Sequence, residues 1–147
     1  MEWAALITWV LTAGGGFVLL TMWIARGGMR QERGAGNRIR PPLIFSHFLL
    51  AASGLAVWII YLAVDKDILA WLAFVVLLLV AALGLTMFFI WTGQRRGAAA
   101  TAGASAPAES GVPAEQHFPV SIVGLHGLLA VTTVVLVFLT AIGVGGS

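Results

Sequence analysis

The stretch PLIFSHFLLAASGLAVWIIYLAV, residues 42–64, runs for 23 residues without an Asp, Glu, Lys or Arg. A helix needs about 20 mostly apolar residues to cross the hydrocarbon core of a bilayer. Nothing in that core can hydrogen-bond an exposed peptide group, so the segment must be helical. The rest of the chain reads the same way. Further apolar runs cover about residues 3–25, 68–91 and 118–144, the second and third of them free of charged residues, while the first has only Glu2 at its edge. The chain of 147 residues is 60% hydrophobic and 10% charged, with a mean hydropathy of +0.99. A soluble domain carries about 25% charged residues. The expected fold class is therefore all-α, an integral membrane four-helix bundle forming a single transmembrane domain.

The first run could be taken for a signal peptide. It lacks a positive n-region, its apolar run is long, and its basic residues follow it, so a retained span is expected. Arg26, Arg30, Arg33, Arg38 and Arg40 lie between spans one and two, and Arg95 and Arg96 follow span three. The turn between spans two and three is Asp65-Lys66-Asp67. Seven of the eight basic residues thus fall on one side, which the positive-inside rule makes cytoplasmic. Both termini are expected outside, in the inner membrane of a bacterium. Trp3, Trp58, Tyr61 and Trp71 then lie toward the outer interface, and Trp23 and Trp91 near the inner one. Residues 97–116, GAAATAGASAPAESGVPAEQ, read as a flexible, disordered cytoplasmic linker.

Composition also excludes chemistry. With no cysteine there are no disulfides, thiolate metal sites, iron–sulfur clusters or covalently attached c-type haem. The high pI follows from short arginine-rich loops, so nucleic acid is not expected as a partner. Gly14-Gly15-Gly16 and Gly27-Gly28 follow no strand and are not nucleotide loops; the triple glycine reads as close helix packing or a local weakness in the helix. No internal repeat is evident. The spans hold no carboxylate pair, which disfavours a stand-alone enzyme, a pore or a proton path.

The intramembrane polar groups that remain are His47 and His126. Ionisable residues at depth are costly and mark function by default. His47 follows Pro42 by five residues and His126 follows Pro119 by seven, which places both roughly 7–11 Å into parallel helices at 1.5 Å per residue. Two imidazoles at one depth can meet a common point, as a six-coordinate b-type haem requires. On this reading the helix faces beside the porphyrin are Ala51 and Gly54 near His47, and Gly127 and Ala130 near His126. Arg38, Arg40, Arg95 and Arg96 stand where propionates would emerge. The alternative is two structural histidines hydrogen-bonded to a Ser, Thr or carbonyl on a neighbouring helix. His117 reads as an interfacial, solvated side chain, with service as a substitute iron ligand its less favoured role. Its nine-residue separation from His126 points the two to nearly opposite helix faces. Three histidines exclude two bis-histidine sites.

The four spans and the depth of His47 and His126 resemble small membrane-embedded b-type cytochromes, including the haem-carrying anchor subunits of respiratory complexes. The run HGLLAVTTVVLVFLTAIG is also similar to small uncharacterised actinobacterial membrane proteins. The first resemblance implies haem b as cofactor and electron transfer as function, with other membrane subunits, a second copy of the chain or a quinone as partners in the bilayer. The competing expectation is a haem-free accessory subunit that stabilises a larger membrane complex.

Overall fold

The computed structural model describes residues 1–30, 38–101 and 113–144. It contains four long helices, α1 (Glu2–Ala25), α2 (Pro41–Val64), α3 (Asp67–Thr101) and α4 (Val120–Ala141). All four are long and apolar enough to cross a membrane. Short 3₁₀ turns at Gly28–Arg30 and Ala114–His117 precede α2 and α4. No strand occurs among the described residues. The four-helix membrane bundle expected from composition is the fold observed.

The helix ends follow local chemistry. Gly27, at φ 81, ends α1 in the left-handed conformation that glycine adopts freely. Pro41 opens α2 at a position where its missing N–H costs nothing. Pro119, held extended, caps α4. Asp67 sits in the first turn of α3, where a negative charge complements the helix dipole.

Two boundaries differ from expectation. Helix α3 continues past Trp91 to Thr101, because Ala98, Ala99 and Ala100 favour helix and nothing after Gly97 breaks it. The chain before α4 is also structured from Ala114, with Ala114 and Glu115 buried. Of the segment read as a disordered linker, 97–101 belong to α3 and 114–116 to this turn; residues 102–112 lie outside the described residues.

The helices form a square. Helix α1 packs chiefly on α4 and α2 chiefly on α3, with α3 on α4 and α1 on α2 completing the ring. Helices α2 and α4 are therefore diagonal partners running in the same direction. The apolar core occupies the half of the bundle away from the arginines. There Ala5, Trp9, Trp58, Tyr61, Ala73, Leu77 and Val137 interlock. Trp9 and Trp58 lie 6.4 Å apart, Trp58 and Tyr61 4.9 Å. The Tyr61 hydroxyl donates to Glu2 Oε1 at 2.7 Å and clips α2 to the start of α1.

The arginine-rich end closes differently. Glu115 is fully buried. Its Oε1 accepts from the Ile39 amide at 2.9 Å and from Gln94 Nε2 at 2.8 Å. One carboxylate thus joins the approach to α2, the end of α3 and the approach to α4. Replacing Glu115 with Ala strands these buried donors, which should cost about 1–3 kcal/mol; Glu115→Gln, which keeps an acceptor, should cost less. Thermal unfolding in detergent checks both the loss and the order.

Candidate functional site: an imidazole pair across the bundle axis

Between the aromatic core and the Glu115 cap lies the histidine layer. His47 is the sixth residue after Pro41 on α2, and His126 the sixth after Val120 on α4. Both stand about 9 Å along their helices at 1.5 Å per residue. The helices are diagonal, so equal depth brings the two rings together across the bundle axis. Their centroids are 6.4 Å apart and their planes inclined at 58°.

Each ring is held by a helix it does not belong to. His47 Nδ1 lies 3.0 Å from the Val80 carbonyl of α3, and His126 Nδ1 lies 2.9 Å from the Thr12 carbonyl of α1. A carbonyl only accepts, so Nδ1 carries the proton in both rings. Nε2 is then the lone-pair nitrogen, and neither Nε2 has a hydrogen-bond partner among the described residues. Metal-ligating histidines are commonly fixed in this way, one nitrogen donating to a carbonyl and the other left to bind.

The close approach requires glycine. A Cβ on Gly16 would sit 3.0 Å from His126 Cε1, and one on Gly84 would sit 3.2 Å from His47 Cε1. Gly15 also borders His126, at 3.6 Å. Gly16 and Gly84 each lie four residues after the accepting carbonyl, one helical turn along the same face. A groove of about 330 Å³, lined by Leu11, Gly15, Ile122, Leu125, His126 and Leu129, opens from this layer between α1 and α4.

These contacts reveal a repeat that the sequence alone did not make evident. Thr12, Gly16 and Trp23 of α1 correspond to Val80, Gly84 and Trp91 of α3, each 68 positions later. His47-Phe48-Leu49-Leu50-Ala51 of α2 corresponds to His126-Gly127-Leu128-Leu129-Ala130 of α4, 79 positions later. Buried residues coincide as well: Ala5 with Ala73, Trp9 with Leu77, Trp23 with Trp91, Trp58 with Val137. The hairpin α1–α2 is thus repeated as α3–α4, and the histidine of each hairpin is anchored by the other. Two offsets rather than one, with few identities between aliphatic helices, concealed the repeat. The arrangement is a parallel repeat about an axis along the membrane normal.

The remaining residues singled out in the sequence fall in several places. Ala51 packs on the apolar core. Gly54 does not border the imidazole layer: Trp9 and Val76 fill the space over it, at 3.0 and 3.1 Å from a built Cβ. Gly127 faces outward with nothing within 4 Å, because the position next to His126 turns away from the face it uses. Ala130 is half-buried. The small residues beside the rings are therefore Gly15, Gly16 and Gly84 on the anchoring helices. Two residues of the triple glycine, Gly15 and Gly16, pack on His126, while Gly14 meets nothing within 4 Å.

Arg40, Arg95 and Arg96 are exposed at the end nearest the histidines, and Arg95 lies 5.2 Å over the Trp91 ring. Arg38 is half-buried there. His117 is exposed in the turn before α4, its Nδ1 3.3 Å from the Ala114 carbonyl, and it does not join the pair.

The site thus defines a class: a four-helix membrane bundle with two oriented imidazoles facing a common axis. The sequence matches no protein-family model, and no curated protein or solved structure is detectably similar to it.

Valine at Gly16 or Gly84 should displace the ring it meets and destabilise the protein by about 1–3 kcal/mol. Gly14→Ala, which meets nothing, should be neutral or stabilising by up to about 1 kcal/mol. Thermal melts of the three variants in one detergent compare them directly.

Proposed function

We propose that this chain is a membrane-embedded b-type haem protein that transfers electrons, with His47 and His126 as the two axial ligands. The carrying observation is the separation of the rings. A metal–imidazole bond of about 2 Å, with about 1.1 Å from Nε2 to the ring centre, puts two imidazoles on opposite sides of one iron about 6.3 Å apart centre to centre. The rings stand at 6.4 Å. Their inclination of 58° is compatible with this, since ligation of one iron by two imidazoles would set no fixed angle between the ring planes. The haem, when bound, supplies reversible one-electron chemistry.

The chain's own residues do the rest. The Val80 and Thr12 carbonyls hold the Nδ1 protons and keep each Nε2 lone pair available. Gly15, Gly16 and Gly84 keep the anchoring helices low beside the ring edges. The aromatic core excludes water from one side of the layer. With His47 and His126 both holding the haem, no position on the iron would be left open, which favours electron transfer over binding of a small gaseous ligand. With the histidine layer inside the four spans, exchange would be with a membrane partner, either a larger redox complex or a quinone, in a bacterial cytoplasmic membrane with the arginine-rich end inside.

Protein purified in mild detergent should show a Soret band and sharpened visible bands on reduction. His47→Ala and His126→Ala should each abolish or shift this spectrum, whereas His117→Ala should leave it intact. A spectrum that survives both substitutions overturns the ligand assignment. A colourless preparation that copurifies with a larger membrane complex favours a haem-free accessory subunit instead.

A further inference from the structure

The repeat places a second matched pair in the bundle, and that pair has no partner. Trp23 and Trp91 are equivalent residues of α1 and α3, fully buried and 6% exposed respectively. The indole Nε1 of each is buried without a hydrogen-bond acceptor. Buried N–H groups are almost always satisfied, so two orphans at corresponding positions call for an explanation. The third orphan indole, Trp58, sits in the aromatic core beside Trp9 and Tyr61, and its counterpart is Val137.

Position supplies the explanation. Trp23 follows Gly16 by seven residues, and Trp91 follows Gly84 by seven. Seven residues advance a helix by about 10 Å and return to within about 20° of the same face. Gly16 and Gly84 touch the two imidazoles, so the tryptophans are rooted on the same faces of α1 and α3, two turns nearer the arginine-rich end. That distance is on the scale of a porphyrin's reach from its centre to its propionates. A haem has two propionates on one edge, and one indole from each half is rooted at the corresponding level, the pyrrole edge of Trp23 lying against Gly28 of the turn after α1. An N–H donor to a carboxylate is a strong, charge-assisted partner even in an apolar layer.

We infer that Trp23 and Trp91 are a donor pair for the two carboxylates of the bound cofactor, and that they fix which edge of the porphyrin points to the arginine-rich end. This rests on the bis-histidine reading. The exposed arginines, Arg95 over Trp91 among them, then act as an outer electrostatic layer rather than as direct partners. Among the described residues, the buried carboxylate oxygen at this end without a partner, Glu115 Oε2, is the competing acceptor.

The test compares haem b with its dimethyl ester, which keeps the iron and the ring but has no carboxylates. Binding of each to detergent-solubilised protein stripped of haem is followed by Soret titration and by quenching of tryptophan fluorescence. The unaltered protein should prefer haem b over the ester by about tenfold or more. Trp23→Phe and Trp91→Phe should each reduce this preference, and the double variant should abolish it while retaining the bis-histidine spectrum. Equal binding of acid and ester by the unaltered protein overturns the inference while leaving the axial ligands in place, and needs no variant to fold. A preference that persists in the double variant also overturns it. So does a double variant that melts lower without haem but keeps the acid-to-ester ratio, since the indoles would then serve Glu115. Failure of the unaltered protein to bind either porphyrin removes the bis-histidine reading, and this inference falls with it.

Discussion

The hydrogen bond from a histidine N–H to a main-chain carbonyl of another helix is the constraint around which the bundle is arranged. A neutral imidazole in a water-free layer has one N–H to place, and leaving it unpaired is costly. The Val80 and Thr12 carbonyls have a spare lone pair beyond their own helical bond. Reaching them brings an imidazole against a helix backbone, which is tolerable only where the next turn carries no side chain. Gly84 and Gly16 occupy those positions. The bond therefore selects the neighbours, α3 for α2 and α1 for α4, and it selects the tautomer. It also leaves Nε2 as the nitrogen with a lone pair to offer.

The division of the bundle into two halves follows from the same economy. Away from the arginines, Trp9, Trp58, Leu77 and Val137 pack chiefly through apolar surface, and the Tyr61–Glu2 bond closes the rim. Polar and ionisable side chains collect in the other half, where helix ends supply unpaired amides and the interface is near. Glu115 occupies that end because an amide of the loop before α2 and the Gln94 side chain both reach it. The result is a rigid apolar frame beside a polar layer whose geometry is set by a small number of directed bonds.

Internal symmetry gives this layer its form. A repeated hairpin, each half anchoring the histidine of the other, produces two equivalent rings about one axis. Such a site is suited to a ligand that is itself nearly two-fold, and a porphyrin viewed along its plane is one. The symmetry is broken where packing demands it: Gly54 admits the Trp9 ring, while its counterpart Thr133 bonds back to its own helix.

Composition alone determined that this chain is a four-helix membrane protein. Spans free of charge can satisfy their peptide groups in lipid in only one way, so the helices needed no tertiary information. Proline positions and the 1.5 Å rise likewise made the shared depth of His47 and His126 legible. What surrounds the pair was not legible. Counting along α2 and α4 pointed to Gly54 and Gly127 as its neighbours, yet the glycines that touch the rings lie on α1 and α3. A linear count follows one helix and carries no information about which helix lies across from it. The buried Glu115 was hidden for a related reason, since a carboxylate in a small, polar segment looks solvated until the amides that donate to it are placed in space. Which helices pair, which nitrogen of each ring is free, and how two hairpins complete each other's site were decided by the tertiary structure, because each depends on a contact between residues far apart in the chain.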